Sequence, residues 1–230
     1  MKRAFVTGAN RGIGKALAQE LAAKGYFVYV GMRSVSESPF VQETVRPVAI
    51  DVLSDESIQK AAKVVSGDGA LDILINNAGT NVDITPGGKK EHLTILKDVS
   101  REALLAMFDV NSVGPLMVAK YFVPIMTNEG SFIINVSSDR ASFANQNTNA
   151  NYGYRSSKIA LNMFTQCLLF DLPKNVSTFA VHPGWVKTDL NPHGVITPAE
   201  SAQKVLGILD MWKPTMNGTF LDNDGSPFQI

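Results

Sequence analysis

The segment "AFVTGANRGIGKALAQELAAKGYFVYVG" (residues 4–31) decides the fold. "AFVTG" (4–8) is a short apolar run that ends in glycine. From 14 to 25, "GKALAQELAAKG" spaces its apolar residues as a helix does, and "YFVYVG" (26–31) is a second apolar run. Lys24 followed by Gly25 is a helix stop: a cation in the last turn, then a residue that tolerates the left-handed cap. Strand, helix, strand is therefore the expected order.

The same alternation continues along the chain. A third strand is expected at "PVAIDV" (47–52), after a segment that holds at most a short helix broken by Pro39. A helix over 55–66 with Ser54 as its cap leads to a strand at "LDILINN" (71–77). The polar stretch 79–100 reads as a surface excursion. Helix resumes over 101–126, capped by Ser100, with Pro115 predicting a kink or local unwinding. Strands follow at 130–138 and 176–184, with the helix of residues 152–172 between them. "TPAE" (197–200) is a capping box with proline at the first helical position, opening a helix to about Met211. "GTFLDNDG" (218–225) closes the chain as a last short strand and turn. Strands that are nearly continuous in apolar residues, alternating with helices, specify an α/β fold: one doubly wound, Rossmann-type domain over 1–230, a parallel sheet with helices on both faces.

Bulk properties set limits. At 230 residues, 45% hydrophobic and 18% charged, the chain can bury a substantial core. Lys plus Arg and Asp plus Glu are 21 each, so no global field recruits nucleic acid or an anionic membrane. The single cysteine, Cys167, is expected as a packed thiol in an apolar helical stretch. The apolar run at the N-terminus is too short for a signal peptide and no segment approaches a membrane span, so a soluble, cytoplasmic protein is expected. His92, His182 and His193 are scattered without ligand spacing; no metal site is expected, and each reads as a solvated or packed histidine.

In such folds ligands bind at the carboxyl ends of the strands, and the unusual residues cluster there. "TGANRGIG" (7–14) follows the first strand and opens the first helix. Gly8, Gly12 and Gly14 would let the backbone turn tightly and approach a pyrophosphate at the helix N-terminus. The pattern G-x-x-x-G-x-G is also compatible with a glycine-rich turn that holds nothing. Asn77, in "INNAG" (75–79), could bridge neighbouring strands through its side chain or serve a ligand. "NVSS" (135–138) and "HPGWVKTDL" (182–190) end two further strands. In "NYGYRSSKIALNMF" (151–164), Tyr154 and Lys158 lie four apart, about 6 Å of helical rise, and share a face. An ammonium there would pull the tyrosine below its ordinary value of about 10. A catalytic pair and an amphipathic helix that happens to carry both residues are the two readings.

Taken together, "TGANRGIG", "NNAG" (76–79), Asn111 in "MFDVNSVG" (107–114), Ser138 in "NVSS", "YRSSK" (154–158) and "PGWVKT" (183–188) resemble the short-chain dehydrogenase/reductase family over essentially the whole chain. The "TDL" at 188–190 and the ending "FLDNDGSPFQI" look most like its sniffer-like carbonyl reductase and C-signal subgroup. The resemblance implies an NADP-dependent carbonyl reductase that reduces an aldehyde or ketone by hydride transfer. Tyr154 would be the proton donor, Lys158 would favour its phenolate and hold the nicotinamide ribose, and Ser138 would hydrogen-bond the substrate oxygen. Asn111 would hold a water that links Lys158 to solvent. The cofactor would lie on Gly8, Asn10, Arg11, Gly12, Ile13, Gly14, Arg33, Asp51, Val52, Asn77, Ala78, Gly79, Tyr154, Lys158, Pro183, Gly184, Val186 and Thr188. One departure stands out: Ser138 and Tyr154 are sixteen apart, more than is usual in the family, and Ser142 could compete for the serine role. Ser138 is preferred because a strand end is a rigid mount.

Coenzyme choice is read at the end of the second strand, where an NAD-dependent protein places a carboxylate on the ribose. "YVGMRS" (29–34) puts Met32 there with Arg33 next, and Arg11 can approach from the other side; both suit the 2′-phosphate of NADPH. Arg33 facing solvent is the plainer reading. The expected partner is a small carbonyl substrate, with the protein a homodimer or a monomer. A different class remains beside the enzyme: a dinucleotide-binding signalling or redox-sensing protein acting through a protein partner, which would not need all of Asn111, Ser138, Tyr154 and Lys158.

Overall fold

Consecutive residues of the central strands are apolar, so both faces of the sheet need a cover. The computed structural model, which describes residues 1–81, 83–84, 90–91, 96–144, 150–189 and 191–230, has that architecture. Its strands are β1 (Arg3–Thr7), β2 (Phe27–Met32), β3 (Val45–Ala49), β4 (Ile73–Asn76), β5 (Asp83–Ile84), β6 (Lys90–Glu91), β7 (Ser131–Val136), β8 (Val176–Val181) and β9 (Phe220–Leu221). Seven of them form one sheet in the order β3-β2-β1-β4-β7-β8-β9. Every pairing in it is parallel. β5 and β6 pair antiparallel on their own.

The helices are α1 (Gly12–Ala23), α2 (Asp55–Ser66), α3 (Arg101–Phe108), α4 (Gly114–Phe122), α5 (Tyr152–Cys167) and α6 (Pro198–Asp210). Strand alternation sorts the core into two layers. Val6, Ile75 and Ile134 meet Leu17 and Leu21 of α1 and Val205 and Leu206 of α6. Their neighbours Phe5, Leu74 and Ile133 meet Ile58 of α2 and Val118 and Phe122 of α4. Leu17 and Leu74 are fully buried, and truncating such a leucine to alanine costs about 2–5 kcal/mol.

The expected irregularity at Pro115 is present, on its N-terminal side. Between α3 and α4, residues Asp109–Val113 form a π turn, in which the Gly114 N–H bonds the Asp109 carbonyl five residues back. Pro115 has no N–H for the carbonyl of Asn111 and its ring crowds that oxygen, so the helix widens there. Contrary to expectation, one segment does reach the size of a membrane span: Arg101–Ile125 is long and apolar enough, with mean hydropathy 1.3. Ala103, Met107, Val118, Ala119 and Phe122 from it are buried in the domain, which makes it a core helix here.

Two other expectations change. β3 begins at Val45, two residues before Pro47, which an edge strand tolerates because one side of its ladder is open. Cys167 is exposed, not packed. It lies two residues past the buried Thr165, about 200° round the helix, so it faces outward. The inner face of α5 carries Ser157, Lys158, Leu161, Asn162 and Thr165, while Met163 is exposed. His92 and the asparagines at 145, 147 and 149 lie outside the described residues.

Candidate active site

Strand order reverses between β1 and β4, and Thr7 locks their carboxyl ends together. Its Oγ1 accepts the N–H groups of Asn77 and Ala78, each at 3.0 Å. The Asn77 amide returns the tie, with Nδ2 donating to the carbonyls of Thr7 at 2.9 Å and Gly8 at 3.1 Å. The Asn77 side chain therefore bridges the two strands in this structure.

α1 then starts hard against this junction. A Cβ on Gly14 would lie 2.5 Å from the Gly8 carbonyl oxygen, so only glycine allows the approach. Gly12, like Gly8, has positive φ (+55° and +64°). Its missing Cβ would meet only the Thr188 side chain, the methyl at 3.5 Å. Ile13 packs beneath, against the first core layer, and Asn10 is exposed beside the turn. The helix N-terminus is left open: Arg11 makes no side-chain cap and the first turn holds no acid. α2, α3 and α6 differ, each being capped by a hydroxyl, from Ser54, Ser100 and Thr197. A glycine-lined cradle with unclaimed N–H donors fits a dinucleotide pyrophosphate.

Around the cradle, Met32 is buried at the end of β2 and Arg33 is exposed just beyond it. Arg11 Nη1 reaches Asp189 Oδ2 at 3.3 Å. Past β3, the Asp51 carboxylate accepts the Leu53 N–H at 3.1 Å, and Val52 packs against the second core layer. The turn after β8 is built on Gly184 (φ +89°). It is anchored through the Pro183 carbonyl, which accepts from Ser201 Oγ of α6 at 2.7 Å. Val186 is buried there, and Thr188 exchanges backbone hydrogen bonds with Asn191.

The four candidate catalytic residues come together at the ends of β4 and β7. Ser138 faces Tyr154 closely enough to lower its proton affinity. It also donates to Asp139 Oδ1 at 3.0 Å and accepts the Arg140 N–H at 3.2 Å. Lys158 is 5% exposed, with Nζ donating to the Val136 carbonyl at 2.8 Å. The same Nζ lies 6.0 Å from the centre of the Tyr154 ring. Asn111, fully buried in the π turn, donates to the Thr80 carbonyl (2.7 Å) and Ser157 Oγ (3.0 Å) and accepts the Thr80 N–H (2.8 Å). Gly79 sits between, where a Cβ would be 3.2 Å from Asn111 Oδ1 and 3.5 Å from Lys158 Nζ. Ser142 is turned elsewhere: its Oγ accepts the Ala144 N–H at 3.1 Å.

The expected electrostatics of the pair need correction. Tyr154 is pushed above, not below, the ordinary tyrosine value, first by burial and then by the Asp139 carboxylate; the Ser138 hydroxyl and Arg140 oppose this only in part. Lys158 is engaged with a backbone carbonyl, and burial holds it down at about 8. Three participants escaped the sequence reading: Asp139 beside the serine, Asp189 on Arg11, and His182, whose Nδ1 accepts the Asp139 N–H at 3.0 Å. Only the pairing of loops in space makes them visible.

A family model described as short chain dehydrogenase matches residues 2–195. The C-signal protein of Myxococcus xanthus is 32% identical over 162 residues, 69% of this chain and 92% of that protein. Among solved structures, the carbonyl reductase Sniffer of D. melanogaster superposes with TM-score 0.87 at 27% identity, covering 100% of both chains. An NADPH-bound carbonyl reductase from chicken fatty liver superposes with TM-score 0.86 at 26% identity, covering 100% of this chain and 99% of that one. A parallel sheet with a glycine cradle at its switch point and a serine, a tyrosine and a lysine gathered beside it agrees with these matches: the chain belongs to the short-chain dehydrogenase family.

Proposed function

We propose that this oxidoreductase is an NADPH-dependent carbonyl reductase, converting an aldehyde or ketone to the alcohol. The observation that carries the reading is the buried Lys158 lying 6.0 Å from the centre of the Tyr154 ring with Ser138 facing the same tyrosine, next to a cradle with free N–H donors. On this reading Gly12, Ile13 and Gly14 hold the pyrophosphate, Arg11 and Arg33 hold the 2′-phosphate, and Lys158 holds the nicotinamide ribose. NADPH, when bound, supplies the hydride.

Tyr154 gives its proton to the carbonyl oxygen as negative charge grows there. The raised proton affinity of Tyr154 suits that direction, since the phenol is kept loaded at neutral pH. Ser138 hydrogen-bonds the same oxygen and stabilises its developing charge. Lys158 stabilises the phenolate left behind. Asn111 braces the floor of the site through Thr80 and Ser157, and its backbone carbonyl, denied the N–H of residue 115 by proline, would hold a water on the route from Lys158 to solvent.

Turnover of aldehydes and ketones with NADPH by wild-type protein and Tyr154→Phe tests the reading. The wild type should oxidise NADPH with at least one of them. The variant should bind NADPH and turn over nothing; equal turnover by the two would remove Tyr154 from the chemistry.

A further inference from the structure

Of the two described histidines, His193 is exposed and His182 is enclosed at the carboxyl end of β8. The β7–β8 ladder ends where the Ser137 N–H meets the Val181 carbonyl at 2.8 Å. One residue further on, a side chain supplies the next rung: the Asp139 N–H donates to His182 Nδ1 at 3.0 Å. The His182 backbone N–H is itself fixed to the Leu221 carbonyl of β9 at 2.8 Å. Its ring stands edge-on to Phe228, with centroids 5.4 Å apart. A ring nitrogen that accepts a hydrogen bond carries no proton, so this imidazole is neutral with its hydrogen on Nε2.

The peptide held in this way follows Ser138 directly. Its plane sets the backbone of Ser138, whose hydroxyl is tied to Asp139 and Arg140 and faces Tyr154 closely enough to lower its proton affinity. We propose that His182 is a positioning residue for the reaction: its neutral imidazole holds the Asp139 peptide and so keeps Ser138 aimed at Tyr154. The inference rests on the carbonyl reductase reading. Protonation of Nδ1 would set a donor against a donor and release the peptide. The charged groups facing the ring are Asp139 beyond β7 and Asp222 beyond β9; both favour its cation, but burial outweighs them and keeps it neutral below the ordinary histidine range. The acid limit on activity therefore falls below about pH 6.5.

Two measurements test this, one of them independent of turnover. In ¹⁵N-histidine NMR near neutral pH, His182 should show a bare Nδ1 and a protonated Nε2; a proton on Nδ1 overturns the proposal. The second compares wild type, His182→Asn and His182→Phe in carbonyl reduction from about pH 5 to 8, with thermal melts confirming that both variants fold. Asn offers an acceptor that does not titrate. It should keep the neutral kcat and lose the acid limb seen in the wild type. Phe keeps the ring packing without the acceptor and should lower kcat about 10- to 100-fold, with KM for NADPH unchanged. A wild-type kcat in His182→Phe, or an unaltered acid limb in His182→Asn, overturns the proposal. A wild type that reduces no carbonyl compound would sink the reductase reading instead, with the tautomer still deciding whether the bond exists.

Discussion

Arg11 and Asp189 meet at 3.3 Å across the carboxyl edge of the sheet, one from the loop after β1 and the other from the loop after β8. β4 and β7 lie between those strands, so the pair closes a gap of about 14 Å, three strand spacings. The loop after β8 is thereby drawn over the switch point, with the Thr188 methyl close to Gly12. Both side chains are mostly exposed, 61% and 74%, and such a pair contributes at most about 1 kcal/mol. Arg11 is held over the cleft weakly enough for a phosphate to claim it.

Coenzyme preference follows from this. Arg11→Ala combined with Arg33→Ala should weaken NADPH binding by several kcal/mol, each charge-assisted hydrogen bond being worth about 1.5–3 kcal/mol. NADH, lacking the 2′-phosphate, should bind the double variant about as it binds the wild type. Titration calorimetry with both coenzymes decides, and equal affinity of the wild type for the two would refute the assignment of these arginines.

The strand junction can be tested apart from catalysis. Thr7 Oγ1 is 1% exposed at the residue level and takes the N–H groups of both Asn77 and Ala78. Thr7→Val keeps the shape and removes the acceptor, leaving two donors unpaired at about 1–3 kcal/mol each. Urea unfolding should show a lower midpoint at unchanged slope. A midpoint equal to the wild type would mean that these N–H groups find another partner.

Local chemistry made much of the fold legible. Ser54 caps a helix that spans 55–66 as read, Thr197 and Glu200 form the expected capping box, and Pro115 marks a real distortion. Each of these signals acts within one or two turns of chain. α5 is different: its buried face is largely polar because it meets the site and Asn135, which donates to Thr165 at 2.9 Å. Apolar periodicity therefore misassigned Cys167. The direction of the Tyr154 shift was illegible for a similar reason. Spacing placed Lys158 on the same face, but the carbonyl of Val136, on another element, holds its ammonium, and Asp139 stands nearer in effect. Contacts such as Arg11–Asp189 and Asp139–His182 join loops far apart in sequence, and no local pattern encodes them.

The two candidate serines separate cleanly. Ser138→Ala should cost roughly 2–4 kcal/mol of transition-state stabilisation, read from kcat/KM, as the loss of an oxyanion donor does. Ser142→Ala removes an acceptor for the Ala144 N–H and should lower kcat/KM much less. Equal losses at unchanged melting temperature would leave Ser138 without its special role.

Lys158 ties function to stability. Burial lowers its proton affinity from 10.5 to about 8, so the folded protein carries an ammonium that it holds poorly. Below pH 8 both folded and unfolded chains bind the proton, and the cost, on the order of 3 kcal/mol, is present in full. Between pH 8 and 10.5 the unfolded chain binds the proton and the folded one sheds it, so stability rises with pH through that window. Lys158→Met has no proton to shed. The wild type should therefore gain stability relative to this variant as the pH is raised from 8 towards 10.5, while the variant reduces no carbonyl at any pH. Urea unfolding of both proteins across that range measures the difference directly. A difference that does not change with pH would mean that the Lys158 ammonium is as well solvated folded as unfolded, contrary to its burial against the Val136 carbonyl.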